Sequence, residues 1–178
     1  MNMLLPSQKI FLEKAKTGDI LLTSSDAWYS KIIKWKTKSE FNHVGIIYRL
    51  FDRRLNIKIP FIIEAISTGV TMQPLINYFK ESKNTDLYLF RHKLVNENNL
   101  SLIIGKSLEY IGANYDYQQL FALLFNGKID NDKKMICSQL LDRVYQAGEI
   151  RLLHENKVVT PGSIGRDEHL DLIIKTET

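Results

Sequence analysis

The sequence predicts an α+β fold, an antiparallel sheet packed against helices. Three observations carry that expectation. Runs over residues 42–50 and 57–66 are rich in β-branched and aromatic side chains. Residues 100–111 and 136–147 instead follow a 3.6-residue apolar spacing. The strand-like runs come first as a block with helices flanking them, the order of a domain with segregated layers.

The elements follow in order. Ser7 is the expected cap of a helix over residues 8–16, with Ile10, Phe11 and Ala15 on one side and Gly18 after its end. Residues 19–23 read as a short buried strand. Asp26 is placed to cap a second helix with Trp28, Ile32 and Trp35 on its apolar side. The runs 42–50 and 57–66 are apolar on both alternating faces, so their sheet is expected to be covered on both sides. Residues 68–74 continue the meander through Gly69, and 87–91 form another strand. Helices are expected over 100–111, 118–125 and 136–147, ending near Gly112, Asn126-Gly127 and Gly148. Thr160-Pro161-Gly162 opens an irregular segment, with a last strand over 170–174.

A chain of 178 residues is one domain in length, with a core over about 18–165, and no repeat, linker or low-complexity tract divides it. That length buries enough surface to fold without a disulfide or a metal. The single cysteine excludes an internal disulfide. A net charge of +4 gives a mild preference for anionic partners, yet no Arg-rich helix or basic stripe interleaved with aromatics points to nucleic acid. Pro6 interrupts the N-terminus too early for a signal segment, and no run approaches the roughly 18 apolar residues of a membrane span. The expectation is a soluble cytoplasmic protein.

Chemistry concentrates in three places. Cys137 opens the helix in Met135-Ile136-Cys137-Ser138-Gln139-Leu140-Leu141, where the positive helix end favours a thiolate and first-turn N–H groups can hold an oxyanion. The same residue shares a face with Leu141 and Val144, as a plain core cysteine would. His43 leads the apolar strand Asn42-His43-Val44-Gly45-Ile46 and is the candidate base. His92, His154 and His169 lack such a setting. Glu64, a lone carboxylate in Ile62-Ile63-Glu64-Ala65, is the candidate group to orient the imidazole. A hairpin folded about Arg53-Arg54 sets Glu64 directly across from His43. A slip of one residue would put the two on opposite faces, whereas a slip of two keeps them together.

These pieces, in this order, resemble the circularly permuted NlpC/P60 (papain-like) cysteine hydrolases, specifically the YiiX/YebB-like branch. The resemblance rests on Gly18-Asp19-Ile20-Leu21, Asn42-His43-Val44-Gly45, Ile63-Glu64-Ala65, Tyr115-Asp116-Tyr117, Cys137-Ser138-Gln139-Leu140-Leu141 and Thr160-Pro161-Gly162. It implies a permuted papain-like fold with the cysteine helix docked on the histidine strand. It implies Cys137 as nucleophile, His43 as base and Glu64 as orienting residue. The reaction implied is hydrolysis of an amide or ester bond of a small acyl, peptide or lipid-like substrate through a thioester, with no metal or organic cofactor.

Tyr117 and Ser138 are the expected substrate-side residues. Lys31, Lys34, Lys36 and Lys38 could attract an acidic group, although a solvated helix face explains them equally. Two alternatives stay open: an acyltransferase related to lecithin:retinol acyltransferase-like enzymes, and a silent ligand-binding module of the same fold. The asparagine that precedes the cysteine in the acyltransferases is replaced here by Ile136. Many family members carry a signal peptide and act on cell-wall peptides; the lack of a recognisable signal here turns the expectation away from a wall substrate.

Overall fold

A computed structural model describes residues 4–25, 38–81, 84–116, 134–153 and 159–177. Six strands form an antiparallel sheet in the order β4-β3-β2-β1-β5-β8. They are β1 (Ile20–Ser25), β2 (His43–Asp52), β3 (Ile57–Ile66), β4 (Gly69–Pro74), β5 (Thr85–His92) and β8 (Leu170–Glu177). Two short strands, β6 (Asn114–Tyr115) and β7 (Lys134–Met135), pair in parallel beside the sheet. The helices are α1 (Pro6–Lys14), the single turn α2 (Tyr78–Glu81), α3 (Glu97–Glu109), α4 (Cys137–Ala147) and the short α5 (Pro161–Gly165).

The covered sheet expected from two apolar faces is present. On one face Leu22, Val44, Ile46, Ile63 and Ala65 pack with Leu140, Leu141 and Val144 of α4 and with Ile103 and Ile104 of α3. On the other, Leu21, Ile47, Ile62, Leu87 and Leu89 pack with Phe11 and Ala15 of the α1 region and with Leu75. Alternation along β2 assigns Val44 and Ile46 to the α4 side and Ile47 to the α1 side.

Several local expectations are corrected. α1 starts at Pro6, not after Ser7: Pro6 occupies the first turn, where its missing N–H costs nothing, and the Gln8 side chain accepts from Leu5 N–H at 3.0 Å. α3 begins at Glu97, earlier than its apolar spacing indicates, because Asn96 caps it through Asn98 and Asn99 N–H. The segment after Thr160 is helical rather than irregular, capped by Thr160 Oγ1, which accepts from Ser163 N–H at 3.0 Å. The helix expected to follow Asp26 and the one over 118–125 lie outside the described residues, as do Lys31, Lys34 and Lys36.

α5 has a definite task. A Cβ on Gly165 would stand 2.3 Å from Cε2 of Phe41, so only glycine lets α5 lie against that ring. Phe41 also packs edge-on against Tyr88 and Phe90, at 5.0 and 6.1 Å between centroids. The lead into His43 is thereby wedged between α5 and β5.

Candidate active site

Four elements converge on His43. It is the first residue of β2, opposite Thr23 near the end of β1. Asn42 fixes this corner: it is buried, its Oδ1 accepts from Ser25 N–H at 2.8 Å, and its own N–H donates to the Thr23 carbonyl at 3.0 Å. The strand start therefore holds the imidazole on a rigid mount.

Glu64 arrives from β3. The observed register sets Gly45, not His43, directly opposite Glu64. The tight turn about Arg53-Arg54 is replaced by a four-residue loop, with Asp52 paired to Ile57, so the strands slip by two residues. Two-residue side-chain alternation keeps Glu64 on the His43 face, diagonally displaced. His43 Nε2 lies 2.6 Å from Glu64 Oε2. Gly45, opposite Glu64, has no room for a side chain: a Cβ there would meet Ile62 Cδ1 at 2.6 Å and the Ile63 carbonyl at 3.0 Å.

Two further residues hold the carboxylate. Tyr78 Oη donates to Oε2 at 2.5 Å, and Gln73 Nε2 donates to Oε1 at 2.8 Å. Asn77 Nδ2 in turn donates to Gln73 Oε1 at 3.4 Å. Glu64 is fully buried, yet each of its oxygens has a donor. Sequence reasoning missed both partners. Gln73 pairs across from Ile62 and Thr71 across from Glu64, so the polar residues of β4 lie on the carboxylate's face. That alternation was a readable signal for Gln73. Tyr78, on a single helical turn beyond Pro74, gave none.

Cys137 is buried as the first residue of α4. Its cap residue is Ile136, whose side chain has no acceptor, so the first-turn N–H groups are not taken up by a capping side chain. Gln139 Oε1 instead reaches back to Ile136 N–H at 3.2 Å. α4 is seated by Tyr145, whose hydroxyl donates to the Gly18 carbonyl at 2.7 Å. The Cys137 thiol comes within hydrogen-bonding reach of the His43 ring. With Nε2 committed to Glu64, Nδ1 is the nitrogen left for the sulfur.

The electrostatics follow from this packing. Burial disfavours charge on His43, but the Cys137 thiolate, foremost, and the Glu64 carboxylate overcome it and raise the imidazole to about 10. Burial likewise works to raise Glu64, and the contacts of His43, Tyr78 and Gln73 reverse that and hold its carboxyl below the ordinary value. Burial and the neighbouring carboxylate push the Tyr78 hydroxyl well up, so it remains a donor. The surroundings of the ring thus favour its protonated form.

Of the sequence-predicted site residues, Cys137, His43 and Glu64 are thus brought together. Ser138 follows Cys137 in the same turn, buried with its Oγ unpartnered. Tyr117 lies outside the described residues. Among the described residues, one cluster has the composition of a metal site: His92, Asp167 and His169, with ligand atoms within 4.8 Å of one another. It sits at the far end of β5, since Leu87, five residues before His92, is the β5 residue level with Thr23 and hence His43. Its atoms are largely engaged. Asp167 Oδ1 accepts from His169 N–H and lies 3.1 Å from His169 Nδ1, Asp167 Oδ2 accepts from Leu153 N–H, and His92 Nδ1 accepts from Leu94 N–H.

Residues 14–174 match the family described as "Permuted papain-like amidase enzyme, YaeF/YiiX, C92 family". The chain belongs to that family of permuted papain-like amidases. Among solved structures, the chain is similar to one titled "Crystal structure of metalloprotein yiiX from Escherichia coli O157:H7, DUF1105". The TM-score is 0.72 at 19% identity, over 93% of this chain and 99% of that one. At that identity the likeness is one of fold. No curated protein matches the chain. The expected relationship to permuted papain-like, YiiX-like hydrolases therefore holds, with the C92 family as its narrower name. No helix among the described residues is long and apolar enough to cross a membrane.

Proposed function

We propose that this amidase-family chain cleaves its substrate through a thioester on Cys137, with His43 as general acid–base and Glu64 as the group that orients and charges the imidazole. The observation that carries this reading is a single imidazole that engages the Cys137 thiol and has Nε2 2.6 Å from a buried carboxylate. Nothing in core packing requires such an arrangement, because a buried histidine and glutamate are costly unless paired.

The chemistry follows in two halves. The thiolate attacks the carbonyl carbon, and the carbonyl electrons move onto oxygen. First-turn N–H groups of α4 would hold that oxyanion. As the tetrahedral centre collapses, the C–N bond breaks, and His43 gives its proton to the departing amine. The neutral imidazole then takes a proton from water, whose oxygen attacks the thioester. Collapse of the second intermediate releases the carboxylic acid product and restores the thiolate beside imidazolium. Glu64 stays ionised throughout, holding the Nε2 proton.

The test is turnover by wild type and Cys137→Ala on a panel of short acyl amides, acyl esters and dipeptides. Hydrolysis of an amide by wild type and its loss in the variant is the expected result. Release of an acylated amine in place of free acid would assign the protein to acyl transfer. Absence of any turnover, with ligand binding intact, would mark a silent pocket.

A further inference from the structure

The β2–β3 hairpin continues past the core, and its outer end has an unusual composition. Leu50, Phe51, Leu55 and Ile57 are between 40% and 54% exposed, four large apolar side chains within eight residues. Cross-strand pairing places Leu50 with Ile59 and Asp52 with Ile57 on one face, and Phe51 with Lys58 on the other. The ribbon is therefore apolar on both faces, with Leu55 in the loop that closes it. Three exposed cations, Arg53, Arg54 and Lys58, stand among these side chains. The one acid there, Asp52, is turned into the loop, where its Oδ1 accepts from Arg54 N–H at 2.9 Å and Leu55 N–H at 3.0 Å.

We propose that this hairpin tip is a docking surface for an anionic lipid bilayer. A docked protein partner covers one flat patch, whereas a ribbon apolar on both faces and at its end is suited to end-on insertion. The cations would then lie at headgroup depth, where anionic lipids attract them. The tip arrives already ordered: Asp52 fixes the loop, and the Arg49 guanidinium donates across the hairpin to the Lys58 carbonyl and to the Glu13 and Ala15 carbonyls at the end of α1. Little conformational entropy is lost on insertion.

The docked orientation has a consequence for the substrate. His43 and Asp52 are the two ends of β2. At about 3.3 Å per residue, the strand holds them roughly 30 Å apart. Docking by the tip would therefore keep His43 and the residues around it in the aqueous phase, facing water-borne substrates rather than tails in the same bilayer. The docking proposal stands on the hairpin alone, so it and the catalytic reading can fail separately.

The experiment is flotation of the full chain with phosphatidylcholine vesicles and with phosphatidylcholine–phosphatidylglycerol vesicles. Binding is expected to the mixed vesicles and to fall with added salt. Arg53→Gln with Arg54→Gln should lower the partition coefficient about 25-fold, at about fivefold per cation. Phe51→Ser with Leu55→Ser should also release the protein, while its circular dichroism and amidase turnover stay those of wild type. Should that variant unfold, the arginine pair still decides the matter. No binding to anionic vesicles, or binding untouched by the arginine substitutions, would overturn the proposal. So would concentration-dependent self-association abolished by the serine variant, which would make a second copy of the chain the occupant.

Discussion

Glu64 reaches the Nε2 of His43 diagonally across β2 and β3, from a position opposite Gly45. Three groups converge on this one buried carboxylate: the imidazole, the Tyr78 hydroxyl and the Gln73 amide.

Gly45 sits opposite Glu64 with no room for a side chain. Gly45→Ala would drive a methyl group into Ile62 and against the Ile63 carbonyl. A cost of about 1–3 kcal/mol in unfolding free energy is expected. Ile62→Ala alone should also destabilise, by leaving a cavity. Together the two should cost clearly less than their sum, because the smaller residue makes room for the new methyl. Denaturant unfolding of the four proteins checks this; strict additivity would mean the methyl is accommodated elsewhere.

Tyr78 and Gln73 should each matter to stability more than their places in the chain suggest. Tyr78→Phe removes a donor from a buried anion, and such charged hydrogen bonds contribute about 1.5–3 kcal/mol. The loss should be seen as a lower melting temperature at neutral pH. A change within the scatter of surface substitutions would show that Glu64 does not depend on the hydroxyl.

The acid side of the stability profile carries a definite sign. Glu64 lies below its ordinary 4.5 in the fold, so its contribution is present above that value and lost as pH falls through the folded one. The difference in melting temperature between wild type and Glu64→Gln should therefore shrink on acidification. His43 carries the opposite sign. Raised to about 10 from 6.5, it contributes fully below 6.5 and loses that contribution as pH rises through about 10.

If His43 is the acid of the proposed reaction, its raised pKa should set the alkaline limb of activity. In the proposed mechanism the departing amine takes the His43 proton, so kcat/KM should fall near pH 10 as that proton is lost. Glu64→Gln removes one of the two anionic supports and should move this limb to lower pH. In Cys137→Ala, the ring resonances followed by NMR should titrate lower than in wild type, since the thiolate is the foremost support. An imidazole titrating near 6.5 in wild type would contradict the electrostatic picture.

Much of this was legible in the sequence because hydrophobic patterning and motif order report on the core. The apolar run predicts the strand Ile57–Ile66 to the residue, and their settings mark Cys137, His43 and Glu64. What was not legible depended on loops and caps. Arg53-Arg54 gave the right hairpin with the wrong register, because the pairing of Asp52 with Ile57 is set by a longer loop stabilised by the Asp52 carboxylate. The helix after Thr160 is five residues long, too short for any periodicity to show, and is defined by its cap and by contact with Phe41. Tyr78 meets Glu64 only through tertiary packing, fourteen residues away in the chain.

The central claim is that Cys137 carries the acyl group and His43 moves the proton, and acid-quenched intact-protein mass spectrometry during turnover of a slow acyl substrate tests it most directly. The expected result is a mass increase equal to one acyl group on Cys137, labile to hydroxylamine and absent in Cys137→Ala. Cys137→Ala and His43→Ala should each lose about 10³-fold or more in turnover, with the double variant little worse than either. Glu64→Gln should fall between, at about 10-fold to about 10³-fold. Undiminished amide hydrolysis by Cys137→Ala, with no adduct in the wild type, would contradict the account.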